Sequence, residues 1–303
     1  MTSIQKMSPA RKGTLCGLVA AVCYGLIPTF TLPIKAATTD QMPDASILFY
    51  RFALATLIIG GIMLLRRQSF RITRGQLVTL MYLAFLSDGA ALFLIEGYNY
   101  MDSGVATTLH FMYPVMTALI MMAFYHEARK LSTLLAVGMA VGGVAVLSWP
   151  GGTHGTEWRG VVIELISALC YAFYIIRVGR SRVRDMNGLK LTFYVMALGS
   201  LIFAADAFRQ QQLRPITTSL QLMDLLSLAV VCTVVTNLCL VVSVKRIGST
   251  MTSILGALEP LTAVALGCLL LSEPLTWNVV TGILLIIPAV IIIIITRGRN
   301  GGS

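Results

Sequence analysis

The chain has 303 residues, of which 56% are hydrophobic and only 12% are charged, and its mean hydropathy is +0.82. A soluble domain carries about twice that charged fraction, so the composition excludes a protein that faces water on all sides. A net charge of +10 would suggest nucleic-acid binding in a soluble protein. Here the basic residues form short clusters between apolar runs, as in loops that flank membrane spans. We therefore expect an integral membrane protein that lies in a lipid bilayer and binds no nucleic acid.

Ten apolar segments are long enough to cross a hydrocarbon core, which takes about 20 helical residues. We predict an all-α protein with spans at residues 13–35, 45–65, 76–97, 104–125, 131–149, 160–178, 189–208, 220–244, 250–271 and 277–295. No remaining stretch could fold as a soluble domain. The first span is longer than a signal-peptide core, so we expect it to stay in the mature protein. The six cysteines fall in apolar runs without a C-x-x-C pair, so we expect neither a disulfide framework nor a zinc site.

The distribution of basic residues predicts the orientation. If the N-terminus is cytoplasmic, eighteen of the 23 Lys and Arg residues lie in loops on the cytoplasmic side. The other side holds only Lys35, Arg159, Arg209 and Arg214, and Arg51 lies within a span. Because loops rich in Lys and Arg stay on the cytoplasmic side, we predict that both termini are cytoplasmic.

The second half of the chain repeats the plan of the first. Offsets of 146 and 147 residues pair Pro114 with Pro260, Glu127 with Glu273, and Tyr24 with Tyr171. Few residues match, so the evidence is the shared order of mid-helix proline, turn glutamate and next helix. We predict two five-helix repeats, residues 1–149 and 150–303, within one transmembrane domain.

The two repeats must have opposite orientations, because five is an odd number of spans. The loop charges agree, since Arg129 and Lys130 follow Glu127 whereas no basic residue follows Glu273 in its turn. Inverted repeats of this kind occur in secondary transporters, where the halves exchange conformations and open a central site to each face in turn. We therefore expect transport by alternating access.

Ionisable groups inside a span are costly unless a partner or a water-filled cavity compensates them. Asp88 lies mid-span and could bind an ammonium group or carry a proton. His110 and Glu259 lie beside the matched prolines, although His110 could instead be a neutral imidazole that bonds a freed backbone carbonyl. Three further acids lie near span ends, where we expect them to reach the membrane interface: Glu96, Glu164 and Asp206.

Arg51, early in the second span, could neutralise a substrate carboxylate. A snorkelling arginine or a structural ion pair is the simpler explanation. The prolines at 28, 114 and 260 each remove a helix hydrogen bond, which membrane helices tolerate where the freed carbonyls face protein or a cavity. These prolines mark the predicted depth of the site, although a kink that serves only packing would use the same residue.

Tyrosines of a membrane belt lie at the span ends. Five tyrosines of this chain lie away from the span ends. They are Tyr24, Tyr82, Tyr113, Tyr171 and Tyr174. Together with Asn237 in span eight they predict an amphipathic substrate cavity that can stack flat side chains and hydrogen-bond polar groups. Hydrogen bonds between helices would also explain such tyrosines.

Several motifs in order resemble the drug/metabolite transporter superfamily, EamA type. They are the segments 49–54 (FYRFAL) and 100–106 (YMDSGVA), and the spacing from residue 114 to 127 with its echo from 260 to 273. The resemblance covers essentially the whole chain and extends to bacterial exporters of aromatic and other amino acids. It implies a multi-pass secondary transporter that exports aromatic and other neutral amino acids, or similar small metabolites, across the bacterial inner membrane.

Other functions remain open alternatives. Efflux of hydrophobic cations or drugs would use Asp88 and the same aromatic residues. A membrane-embedded enzyme is a distant alternative, because the chain has no H-E-x-x-H motif and no G-x-S-x-G motif. We expect no cofactor and no metal, and without a P-loop ATP is not the direct energy source. The sequence does not decide between facilitated diffusion and proton antiport, and it leaves the substrate, the direction, the oligomeric state and the face open at rest undetermined.

Overall fold

The computed structural model describes residues 8–36, 41–124, 131–147, 157–183 and 185–298, and these ranges contain helices and turns but no β-strand. The helices are α1 (Pro9–Gly25), α2 (Ile27–Ala36), α3 (Asp44–Leu65), α4 (Arg74–Gly97), α5 (Ser103–His110), α6 (Tyr113–Phe124), α7 (Leu131–Leu147), α8 (Trp158–Arg180), α9 (Gly188–Arg209), α10 (Ser219–Ala229), α11 (Thr236–Leu255), α12 (Leu258–Leu270) and α13 (Trp277–Gly298). A π-helical segment, Val230–Val235, joins α10 to α11. The secondary structure of these ranges is helical, as predicted.

Among the described residues, seven helical segments are long and apolar enough to cross a membrane. They are Pro9–Ala36, Asp44–Leu65, Arg74–Gly97, Ser103–Phe124, Trp158–Val178, Gly188–Arg209 and Ser219–Ser243. Three shorter apolar helices, Leu135–Val146, Leu258–Leu270 and Trp277–Ile292, lie where spans five, nine and ten were predicted. Each predicted span thus coincides with an apolar helical segment. The predicted turn at Glu127, Arg129 and Lys130 lies outside the described residues.

Three of the segments are broken near their middle. The first is interrupted at Leu26, the fourth at residues 111–112 and the ninth at residues 256–257. In each case a proline, Pro28, Pro114 or Pro260, lies in the first turn of the helix that follows. Proline is tolerated there because the first N–H groups of a helix have no intrahelical partner. The predicted kinks are therefore short interruptions, one residue long in the first segment and two residues long in the other two.

The connection between predicted spans eight and nine contains Lys245 and Arg246. Both residues lie within the helical range of α11. Ser243 Oγ and Thr252 Oγ1 nevertheless lie 2.8 Å apart. Nine residues along a straight helix would separate their Cα atoms by about 13 Å. The chain must therefore reverse direction between them, and the predicted connection exists as a tight helical turn.

The connections between helices gather at two ends of the bundle. One end, which we call the basic end, carries Arg66, Arg67, Arg71, Arg74, Arg182 and Lys190. Here the Lys190 ammonium donates to the Arg71 carbonyl at 2.5 Å. At the opposite end the Glu157 N–H donates to the Tyr100 carbonyl at 3.3 Å, and Glu273 accepts hydrogen bonds from the first turn of α5. Successive connections thus alternate between the two ends.

Two helices at matched places begin with the same capping box. Thr73 caps α4 and bonds reciprocally with Gln76, and Thr218 caps α10 and bonds reciprocally with Gln221. A side chain at the N-cap satisfies N–H groups that the helix itself cannot pair. The α4 cap lies at the basic end and the α10 cap at the opposite end, so these two helices start from opposite sides.

Helix contacts recur when each helix is replaced by its counterpart in the other half of the chain. Helices α3 and α9, α5 and α12, and α7 and α13 pack against each other. Helix α1 packs against α12, and its counterpart α8 packs against α5 and α6. Helix α1 also packs against α11, and α8 packs in the same way against α4. The contact of α3 with α10 is matched by that of α9 with α4. This is the pattern expected of two similar units related by a pseudo-two-fold axis.

Candidate functional site

Four of the predicted tyrosines meet in the middle of the bundle. The Tyr113 and Tyr171 ring centroids lie 4.8 Å apart in an edge-to-face arrangement, and the Tyr171 and Tyr174 rings stack with centroids 5.8 Å apart. Tyr24, on α1, interacts with Tyr171. We call these four residues, together with His110, the central aromatic cluster. Its members come from α1, α5, α6 and α8, so it joins both predicted repeats.

His110 is the last residue of α5 and belongs to a buried hydrogen-bond chain. Its ring centroid lies 5.4 Å from that of Tyr171, and its Nδ1 lies 2.9 Å from Ser167 Oγ. Ser167 Oγ donates its hydrogen to the Ala90 carbonyl at 2.7 Å. A hydroxyl has one hydrogen, so the Nδ1 of His110 must carry the proton that it shares with Ser167. This tautomer leaves Nε2 as an acceptor.

Glu259 is buried in the first turn of α12, beside the break in the ninth segment. Its carboxylate forms no ion pair and no side-chain hydrogen bond with any residue that the structure describes. The α1 helix passes close by, since a Cβ atom at Gly25 would lie 2.7 Å from the Glu259 carbonyl oxygen. The first turn of a helix is favourable for a negative charge because its N–H groups are unpaired.

Arg51 is 5% exposed and is held by a partner that sequence analysis did not identify. Its Nε donates to Thr233 Oγ1 at 2.9 Å, and Thr233 Oγ1 donates to the Leu228 carbonyl, five residues back. The π-helical segment makes that bond possible. Ion pairs among the described residues are Lys35 with Asp44 and Arg209 with Asp206, so Arg51 has no acidic partner there. Neither the snorkelling nor the ion-pair explanation for this arginine fits its surroundings.

Two tyrosines, Tyr24 and Tyr98, each interact electrostatically with both Arg51 and Glu259. Tyr98, which caps the end of α4, was not among the predicted site residues because it lies at a span end in the sequence. The central aromatic cluster therefore lies near a guanidinium and a carboxylate, and neither of them has an oppositely charged partner among the described residues.

Asp88 is buried on α4 and faces α9 rather than the cluster. Both of its carboxylate oxygens lack a hydrogen-bond partner among the described residues. A Cβ atom at Gly199 would lie 2.6 Å from Asp88 Oδ1, which shows how closely the two helices approach. Of the cluster members, Tyr174 interacts electrostatically with Asp88.

Two predicted site residues lie elsewhere. Tyr82 is 43% exposed on the surface of the bundle, where the Arg177 guanidinium lies 5.3 Å above its ring. It is an amphipathic side chain paired with a cation near the basic end and does not join the cluster. The Asn237 amide donates to the Thr233 carbonyl one turn earlier in the same segment, so part of its hydrogen-bonding capacity serves the helix.

The three acids expected at the membrane interface have different surroundings. Glu96 and Asp206 line a cavity of about 1080 Å³ at the opposite end, together with Lys35, Asp44 and Arg214. The cavity is polar and carries both signs of charge. Glu164, in contrast, is fully buried and does not reach the surface at all. The expectation is therefore wrong for Glu164, because α8 turns this residue toward α4 rather than outward.

The site residues missed by sequence analysis are Tyr98, Ser167 and Thr233. Ser167 and Thr233 are small hydroxyl residues that often bond their own helix, and only the packing of another helix gives them a second partner. The described residues contain no group of three or more His, Cys, Asp or Glu side chains that could hold a metal ion.

Comparison with known proteins gives two matches to one family model. The EamA-like transporter family matches residues 11–149 and again residues 158–295. A protein of Archaeoglobus fulgidus described as an uncharacterized transporter is 25% identical over 206 residues, which cover 68% of this chain and 72% of that protein. A crystal structure at 14% identity covers 95% of this chain and 98% of its own chain with a TM-score of 0.67, and it supports the fold alone.

Proposed function

Because the chain belongs to the EamA-like transporter family, we propose that it is a secondary transporter that exports neutral amino acids, aromatic ones included, or similar small metabolites. It moves them across the bacterial inner membrane by alternating access between two inverted five-helix halves, residues 1–149 and 150–303. Both termini are cytoplasmic in this proposal, and the basic end faces the cytoplasm. The two family matches and the exchange-related helix packing support the division into halves.

The observation that carries the proposal is the arrangement of Arg51 and Glu259 beside the central aromatic cluster. A neutral amino acid carries one carboxylate and one ammonium group, and each needs an opposite charge once it leaves water. Arg51 can receive the carboxylate through two parallel hydrogen bonds, and Glu259 can receive the ammonium group. Stacked and edge-on tyrosine rings provide the contact for a flat or apolar side chain. A hydrophobic cation would use Glu259 and the tyrosines but would leave Arg51 unpaired.

The helix ends in this region support a transport site. Tyr24, His110, Tyr113 and Glu259 each lie within three residues of a break in a membrane segment. Broken helices in transporters expose backbone groups to the substrate and mark the place where the two halves move against each other. The site is thus built from the parts of the fold that a rocking motion would change.

The position of the cavity supports a conformation that is open at the opposite end, since the cavity of about 1080 Å³ lies there. The two halves touch at both ends, because the Tyr194 hydroxyl donates to the Phe70 carbonyl at the basic end and the Tyr50 hydroxyl donates to the Arg214 carbonyl at the opposite end. An exporter releases its substrate in such a conformation. The cavity then closes and the site opens again to the cytoplasm.

Counterflow in proteoliposomes tests the proposal. Purified protein is reconstituted with unlabelled phenylalanine inside, and uptake of labelled phenylalanine is measured with three competitors: phenylalanine, phenethylamine and 3-phenylpropionate. We expect saturable flux for which phenylalanine competes best, because each analogue leaves one charged residue unpaired. Arg51→Gln should weaken competition by phenylalanine and leave competition by phenethylamine unchanged. Glu259→Gln should weaken competition by phenylalanine and leave competition by 3-phenylpropionate unchanged.

Two outcomes decide against the proposal. If no amino acid gives saturable flux, amino-acid export is wrong. If tetraphenylphosphonium is transported and competes better than phenylalanine in the wild type, and Arg51→Gln leaves this unchanged, the protein is an efflux transporter for hydrophobic cations. Asp185→Asn, an exposed carboxylate near the basic end, serves as the control for removal of an acid.

A further inference from the structure

Glu164 is a buried carboxyl group that the proposed substrate site does not use. It is 0% exposed, and neither of its carboxylate oxygens has a hydrogen-bond partner among the described residues. An ionised carboxylate in such a place costs several kcal/mol when nothing pairs with it. The side chain is therefore stable there only when it binds a cation or a proton.

The surroundings of Glu164 are polar and equally unpaired. The Tyr98 hydroxyl and the Thr107 hydroxyl are buried and lack a hydrogen bond of normal geometry within the described ranges, although they approach one another. Tyr98 also lies within electrostatic range of Glu164. Buried polar atoms are nearly always paired, so a group of them at one place points to a ligand or a proton. The helices α4, α5 and α8 enclose this place.

The fold itself does not require an acid at this position. The repeat offset of 147 residues pairs Glu164 with Gly17, and the offset of 146 pairs Gly97 with Ser243. In one half a Cβ atom at Gly17 would lie 2.7 Å from Ser243 Oγ, and in the other a Cβ atom at Gly97 would lie 1.9 Å from Glu164 Oε1. The same helix contact is thus made twice, once with glycine and once with glutamate.

The matched place in the other half is fully paired. Ser243 Oγ shares a hydrogen bond with Thr252 Oγ1 at 2.8 Å, with no carboxyl group present. The contact between α1 and α11 shows that close packing needs only small residues. Glu164 is therefore an addition to one half, and Gly97 supplies the space that its side chain occupies.

We propose that Glu164 is the proton-coupling residue of this transporter, with Tyr98 and Thr107 as the polar wall of its site. This inference rests on the proposed transport function. Tyr98 interacts electrostatically with Glu164 and also with Arg51 and Glu259 of the substrate site. An ammonium group bound at Glu259 adds positive charge on the side of the site that Tyr98 shares with Glu164, and positive charge favours the ionised form of a carboxyl group. Substrate binding then releases the proton from the carboxyl group to water, which couples export to proton entry.

Other titratable groups near Glu164 have different roles. On α4, Asp88 faces Gly199, and Glu96 accepts a hydrogen bond from Tyr100 at 3.3 Å in the cavity at the opposite end. On α5, His110 bonds Ser167, one turn further along α8 than Glu164. On α6, the Tyr113 ring packs against Tyr171. Glu164 is thus the carboxyl group that faces the enclosed place between α4, α5 and α8.

Proton release on substrate binding tests the inference directly. Phenylalanine is added at saturating concentration to purified full-length protein in weakly buffered solution that contains a pH indicator dye. The wild type should release up to about one proton for each substrate bound, because one carboxyl group changes its protonation. Glu164→Gln, which keeps the shape of the side chain, should release at least fivefold less. Asp185→Asn should release as much as the wild type.

Transport measurements separate the inference from the proposed function. Counterflow of phenylalanine tests transport alone, and accumulation driven by a pH gradient tests coupling. We expect Glu164→Gln to retain counterflow and to lose pH-driven accumulation. If the wild type shows counterflow but no pH-driven accumulation, or if Glu164→Gln keeps pH-driven accumulation, the inference is wrong while the proposed function stands. Dependence of accumulation on a sodium gradient in place of a pH gradient would also overturn it.

A conservative variant covers the case in which Glu164→Gln does not fold. Glu164→Asp keeps a carboxyl group but withdraws it by one methylene from Tyr98. Proton release should persist with a displaced pH profile. A pH profile identical to that of the wild type would mean that the proton is carried elsewhere.

Discussion

The hydrogen bond from Arg51 to Thr233 permits a test in which the charged residue itself is untouched. Thr233→Val removes the hydroxyl acceptor and keeps the branched shape, while Thr233→Ser keeps the hydroxyl. A hydrogen bond to a charged group contributes about 1.5–3 kcal/mol, and the Nε–Oγ1 distance of 2.9 Å is a normal one. Loss of about 1.5 kcal/mol of binding free energy corresponds to about a tenfold change in an equilibrium constant. If Arg51 receives the substrate carboxylate, the valine variant holds it less firmly and the KM for phenylalanine should rise about tenfold.

The assay is phenylalanine counterflow in proteoliposomes, with phenethylamine as a matched substrate that lacks the carboxylate. We expect the KM for phenylalanine to rise in Thr233→Val and to stay near the wild-type value in Thr233→Ser. The KM for phenethylamine should change in neither variant. Equal KM values for phenylalanine in the two variants would refute the role of Arg51, and so would an equal rise for both substrates in Thr233→Val.

Three further predictions concern the packing around the site. Glu273→Ala leaves two N–H groups at the start of α5 without their carboxylate, which should lower the thermal unfolding temperature in detergent by several degrees. Gly199→Ala places a methyl group 2.6 Å from Asp88 Oδ1, so it should destabilise the protein by about 1–3 kcal/mol in the same assay. Tyr171→Ala should raise the KM for phenylalanine at least tenfold, whereas Tyr82→Ala should leave it unchanged because that ring lies on the surface.

Controls for these variants are present in the same chain. A Cβ atom at Gly61 would meet nothing within 4 Å, so Gly61→Ala should be neutral or slightly stabilising in the unfolding assay. Glu273→Gln keeps one acceptor oxygen, so its unfolding temperature should lie between those of the wild type and Glu273→Ala. A Glu273→Ala protein as stable as the wild type would show that water replaces the carboxylate at α5. A Tyr82→Ala protein with a raised KM would place that ring in the substrate path.

Much of the fold follows from the sequence because membrane spans are governed by length and polarity. The apolar segments, the prolines at helix breaks and the alternation of loop charges each have a direct physical cause. The breaks were predicted as kinks, since a proline shows where an N–H is missing but not how far the neighbouring turns separate.

The site was predictable only in part. Tyr24, His110, Tyr113 and Tyr171 were identified because phenol and imidazole groups are unusual in the middle of a span, and the structure brings them together. Tyr82 has the same sequence signature but lies outside the cluster, because the sequence alone does not tell which side of α4 faces the other helices. Thr233 depends on a π-helical segment, which has no recognisable sequence pattern.

The contact of Glu273 with α5 has a consequence for biogenesis. Glu273 Oε1 and Oε2 accept hydrogen bonds from the Ser103 and Gly104 N–H groups at 2.8 and 3.2 Å, across 170 and 169 residues of chain. The start of α5 is therefore synthesised and inserted long before the carboxylate that completes it leaves the ribosome. The first half of the chain should remain loosely assembled in the membrane during translation, open to quality-control proteases, until the turn after α12 arrives.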